Sequence, residues 1–188
     1  MIDFPVTFNE FKNLPGRKDP FYFGLGFIKV RLDHDHSMNF YDPGLGSIVG
    51  DEEIHNHRTN FESLIIAGEL TNVVYELEYD ELPRVSHTVT DAVCTEGGSE
   101  KVIGHARIKR TSSFTMARGS RYSMETDTFH RVYPGSKGAI TALSRGKISK
   151  DSALVVRPIG ENPVCPYSRK IELPELMDRI EALYMDLT

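Results

Sequence analysis

The stretch His55-Asn56-His57-Arg58-Thr59-Asn60-Phe61-Glu62-Ser63-Leu64-Ile65-Ile66-Ala67-Gly68 decides how the rest of the sequence is read. On a β-strand, residues i and i+2 face the same side, so the imidazoles of His55 and His57 point into one space. Glu62 follows His57 at an odd separation, which on one continuous strand would turn it the other way. Arg58-Thr59-Asn60 can break the strand, so that Glu62 returns to the same space from the next one. The apolar run 61–66 would then bury its carboxylate, and a buried carboxylate needs a cation or a donor. Ala67-Gly68 is expected to turn the chain.

Outward from this stretch, the segment 21–158 reads as short strands separated by turns. Residues 27–32 alternate apolar and basic. Val73, Tyr75, Leu77 and Tyr79 alternate with Val74, Glu76 and Glu78, a clear period of two. Val102, Gly104, Ala106 and Ile108 share one face of a further strand, opposite Ile103, His105, Arg107 and Lys109. More strand-like runs follow at 113–117, 121–124, 128–133, 139–143 and 153–156. Many short strands at regular spacing predict a mainly β sandwich or small barrel.

Two flanking segments differ. Thr7 is placed to begin a short helix over Phe8, Phe11 and Lys12, stopped by Leu14-Pro15-Gly16. In the tail, Pro174 suits a helix start. Leu173, Leu176, Ile180, Leu183, Tyr184 and Leu187 then recur at three- and four-residue steps, an apolar stripe for the outside of the β-domain or for a dimer contact.

The chain has 188 residues, 39% of them apolar, which suits one domain (1–188) with a real core. The net charge of −5 argues against nucleic acid or an anionic membrane as the main partner. Cys94 and Cys165 form neither a disulfide framework nor a zinc-finger spacing, which fits free thiols in a reducing cytoplasm. No apolar run approaches a membrane span, and Met1-Ile2-Asp3-Phe4-Pro5 does not open a secretory signal.

Far downstream, Thr128, His130 and Val132 share a strand face just after a polar turn, adding a third imidazole. His55-x-His57-x4-Glu62-x5-Gly68 with a later strand histidine resembles the two-part metal-binding pattern of the cupin superfamily. The resemblance covers about 21–158, flanked by the lead-in 1–20 and by a linker and helix over 159–188. It implies a double-stranded β-helix barrel in which His55, His57, Glu62 and His130 bind one divalent metal. The second motif departs from the usual Pro-x-Gly-x-x-His approach, having Glu125-Thr126-Asp127-Thr128-Phe129-His130 instead. Within cupins the stretch is also similar to thiol dioxygenases, through His-x-His and the later His130-Arg131-Val132.

Imidazoles and a carboxylate suit Fe(II), Mn(II), Ni(II) or Zn(II), and the dioxygenase-like reading favours Fe(II). Three nitrogens and one oxygen leave positions open for a small polar substrate. Arg107 is the natural anchor for an anionic substrate if its face lines the barrel, and Tyr75, Tyr122 and Tyr133 could supply hydroxyls. Arg58 and Arg131 are expected to point outward, and His34 and His36 to be solvated. A non-redox isomerase or lyase, and a non-catalytic binding or assembly module forming a homodimer, remain as alternatives.

Overall fold

A computed structural model describes residues 4–47, 54–80, 84–92, 100–161 and 169–188. Cys94 and Cys165 lie outside the described residues. Among the described residues, ten strands are joined in one antiparallel sheet: β1 (Phe21–Phe23), β2 (Phe27–Arg31), β3 (His36–Tyr41), β4 (Ile54–His55), β5 (Thr59–Tyr79), β6 (His87–Ala92), β7 (Glu100–Ala117), β8 (Arg121–Met124), β9 (Phe129–Ile148) and β10 (Ala153–Pro158). Helices α1 (Phe8–Lys12) and α2 (Leu173–Leu187) flank it.

The long strands β5 and β9 form the spine, pairing from Thr59↔Ile148 to Tyr75↔Phe129. Their second edges have different partners in each half. Towards one end, β3 adds to β9 and β8 adds to β5. Towards the other, β9 pairs with β4, β4 with β10, β10 with β6, β6 with β7, and β7 with β5. That circuit returns to its start, so the sheet closes on itself. Within that circuit each strand has a partner on both sides, while β1 and β8 remain the end strands of the sheet. The result is a mainly β barrel with a short N-terminal helix and a C-terminal helix.

Ala67-Gly68 does not turn the chain, contrary to expectation. Gly68 sits at a register shift inside the continuous strand β5, with φ of 75°. A Cβ there would collide with the carbonyl of Gly138, itself at φ 94°. These glycines let two strands bend and approach where a side chain would not fit. The segments read as separate strands at 61–66 and 73–79 are therefore one element, as are those at 128–133 and 139–143.

The half of the sheet built from β1, β2, β3 and β9 has two dressed faces. Ile28, Val30, Met38, Phe40, Ile140 and Ala142 are buried under the helices with Phe11. Thr7 caps α1 in a capping box with Glu10. The tail stripe behaves as the pattern requires, Leu176, Ile180, Leu183 and Tyr184 being buried against the barrel. Each such side chain stabilises the fold by about 1.5–3 kcal/mol. No helix among the described residues is long and apolar enough to cross a membrane. The opposite face of this half-sheet looks into a cavity.

Candidate metal centre

The cavity has a volume of about 840 Å³ and is lined by His55, His57 and His130. His55, at the end of β4, pairs directly with His130 on β9 and with Val155 on β10. The link after it is pinned by Asn56, whose backbone N–H donates to the Leu154 carbonyl at 3.1 Å. The Asn56 Oδ1 accepts from the Leu154 N–H at 2.7 Å. This clamp carries His57 back over the same space. The three imidazoles each offer a nitrogen, and these atoms lie within 4.8 Å of one another. The ring centroids are 4.9 to 5.0 Å apart.

His57 Nε2 and His130 Nε2 are separated by 2.7 Å. Two imidazole nitrogens this close share either a proton or a cation. Burial, reinforced by His55, His130 and Lys29, holds His57 well below the ordinary histidine range. Burial, and then His55, does the same for His130. Neutral imidazole is the form that binds a metal.

His130 is 2% exposed, and its Nδ1 lies 2.7 Å from Asn72 Oδ1. Nδ1–H donating to that oxygen leaves the Nε2 lone pair facing the other rings. Asn72 thus does the orienting work that a carboxylate or carbonyl often does behind a metal-bound histidine. Three converging imidazole nitrogens, two of them kept neutral by burial, fit a borderline divalent metal. Edge-on packing of Phe61 against His57, with centroids 4.7 Å apart, fixes that ring.

Glu62 does not join the group. Along β5 Phe61, Ser63 and Ile65 are buried, whereas the Glu62 side chain is 52% exposed and pairs with Arg121 at 2.9 Å. The strand starts at Thr59 with inward parity already set, so Glu62 falls on the outer face. Arg107 is also outside, 55% exposed and 3.2 Å from Glu78. Tyr75 packs beside Ile54, Val89, Ala106 and Val156 and does not line the cavity. Burial there raises its phenol, and Tyr133 adds to this.

Tyr122 does line the cavity. Burial raises its phenol, with Ser63 and Asn72 opposing, so the hydroxyl keeps its proton at neutral pH. Tyr133 lines the cavity as well. Arg58 and Arg131, expected to point outward, are half-buried and line it too. His34 is exposed beside Asp35, and His36 pairs with Asp33 at 2.9 Å, both away from the centre.

Sequence reasoning missed Asn72, Lys29, Asn39, Tyr41 and Arg145. A signal existed for Asn72, an amide inside the apolar run Leu70-Thr71-Asn72-Val73-Val74, where burial demands a partner.

No protein-family model matches the sequence. A comparison with curated proteins finds no match. Among solved structures, the chain is similar to hydroquinone 1,2-dioxygenase from Sphingomonas sp. TTNP3, a structure with 4-hydroxybenzoate bound. The identity is 11% and the TM-score 0.34, over 62% of this chain. The overlap spans 63% of the dioxygenase chain, less than two thirds of its length.

Proposed function

We propose that this chain is a metal-dependent, oxygenase-like cupin of one domain, acting on a small polar molecule. His55, His57 and His130 hold one divalent transition metal, with Fe(II) favoured over Mn(II), Ni(II) and Zn(II). The observation that carries this reading is the convergence of three imidazoles, two of them kept neutral by burial, on one point of a cavity wall. With three nitrogen ligands and open positions, a redox metal supplies oxygen activation and a non-redox one polarises a carbonyl or hydroxyl.

The chain's own residues do the rest. Asn72 fixes the tautomer of His130, Phe61 fixes the His57 ring, and Tyr122 offers a protonated hydroxyl as a hydrogen-bond donor to bound substrate. The cavity is large enough for a small organic molecule.

The test is metal content of untagged protein by elemental mass spectrometry, beside His130→Ala and Glu62→Gln. Near-stoichiometric metal is expected in the parent and in Glu62→Gln, with loss in His130→Ala. The element recovered then separates oxygen chemistry from Lewis-acid chemistry. A folded parent that binds none of the four metals after reconstitution would overturn the proposal.

A further inference from the structure

Two phenols reach the cavity from different strands. Tyr41, on β3, is 8% exposed, and Tyr122, on β8, is half-buried. Both line the cavity, and both pack in one apolar cluster with Phe27, Leu70 and Val132. Burial pushes the Tyr41 phenol well above its ordinary range, and Tyr122 adds to this, so the two hydroxyls are near enough to act on each other. Both keep their protons at neutral pH. A phenol O–H held in such a place calls for an acceptor.

The protein surrounds these oxygens with donors. Tyr122 pairs with Ser63 across the β5–β8 ladder, and its ring lies 6.3 Å from Phe114, which pairs with Asn72. Asn39 opposes burial at Tyr41, and Ser63 and Asn72 oppose it at Tyr122, as neighbours that offer a donor to a phenol oxygen do. Ser63 Oγ and Asn72 Nδ2 have no other hydrogen-bond partner. An oxygen offered donors on the protein side leaves its own O–H for the cavity. Two O–H groups turned to one space suit an acceptor with two lone pairs, and a carbonyl oxygen is one. The surroundings are aromatic. Tyr41 lies 5.0 Å from Phe27, and Tyr122 lies 6.0 Å from Phe61, whose ring is 4.7 Å from His57. The pair is thereby tied to the side of the cavity that holds the histidines.

We infer that Tyr41 and Tyr122 together hold the carbonyl oxygen of a small neutral molecule, whose apolar body lies against Phe27 and Phe61. This names the substrate class of the metal site proposed above and rests on that reading. Both donors are uncharged, so the clamp works whatever charge the rest of the wall carries. Donors aimed at a carbonyl oxygen also stabilise negative charge that develops on it.

Acetophenone, isotope-labelled at its carbonyl carbon, is the probe, and ethylbenzene, of similar shape without the oxygen, is its counterpart. Both are titrated into metal-free protein by ligand-detected NMR, with Tyr41→Phe, Tyr122→Phe and the double variant alongside. Each single variant should weaken acetophenone by about 3- to 10-fold, as loss of one neutral hydrogen bond provides, and leave ethylbenzene within about twofold. The infrared C=O stretch of bound acetophenone should lie below its frequency in hexane. It should step back up in each single variant and further in the double variant. Thermal melts check that the variants are folded.

Equal losses for acetophenone and ethylbenzene overturn the inference, as does a bound C=O stretch that ignores both substitutions or no acetophenone binding at millimolar concentration. If a variant does not fold, the parent alone decides: a bound stretch at the hexane frequency overturns the inference, and a lowered one supports it. Failure of the metal reading shows separately, in the metal content of the parent. The metal-free titrations still decide the roles of Tyr41 and Tyr122.

Discussion

Replacing Asn72 by Leu keeps the volume and removes the amide, both the acceptor facing His130 and the group that acts on the Tyr122 phenol. Asn72 is fully buried, its Oδ1 is 2.7 Å from His130 Nδ1, and His130 is 2% exposed. Water therefore cannot easily replace the lost oxygen. Either the Nδ1–H stays unsatisfied, at a cost of about 1–3 kcal/mol, or the proton moves to Nε2. In the first case the melting temperature falls by roughly 2–12 °C for a chain of this size. In the second, the lone pair facing His57 is lost. Both routes weaken metal binding, by about 10- to 100-fold for a partner of this kind. Chelator competition with Zn(II), with thermal melts in parallel, reads both effects. Asn72→Asp keeps an acceptor and should bind Zn(II) at least as well as the parent. A folded Asn72→Leu protein with parental Zn(II) affinity would refute the account of how His130 is oriented.

Two further outcomes follow from the fold and its buried groups. The metal-free protein should lose stability as pH falls below about 6.5. His57 and His130 titrate there in the unfolded chain but are held lower in the native one, so the unfolded state binds more protons. The slope approaches at most about 1.4 kcal/mol per pH unit for each histidine, and urea melts across this window would show no trend if the reasoning fails. Gly138→Ala should destabilise by about 2–4 kcal/mol, from positive-φ strain and overlap with the Tyr41 carbonyl and Leu183. Gly119→Ala, also at positive φ but facing open space, should cost less in the same thermal melts; equal losses would count against a close approach at Gly138.

The pair at 55 and 57 was legible because its spacing is local, although β4 ends at His55 and the Asn56 clamp, not strand parity, turns His57 to the same side. The helices were legible for the same reason, Thr7 with Glu10 and the Leu176, Ile180, Leu183 stripe being short-range signals. Glu62 was misread because its side depends on where β5 begins. That start is set by pairing with β8 and β9, which a local pattern does not reveal.

Gly68 was misread as a turn because glycine serves turns and bulges alike; only the nearby Gly138 backbone tells them apart. The cavity wall escaped for a subtler reason. Along β2 the apolar residues Ile28 and Val30 mark the helix side, and the remaining positions look like a solvated face. Whether such a face meets water or closes around a ligand is decided by strands far away in sequence.

The spine of β5 and β9 also limits how this protein can change in length. Asn72 and His130 meet across it, and Gly68 faces Ala139 in the same ladder. One residue inserted between Gly68 and Asn72, or between His130 and Gly138, would reverse the side on which every later side chain projects until a bulge absorbed it. The amide and imidazole would then leave the cavity together with their neighbours. Variation by insertion and deletion is thereby directed to the connections between strands, while the two long strands act as a fixed ruler for the centre.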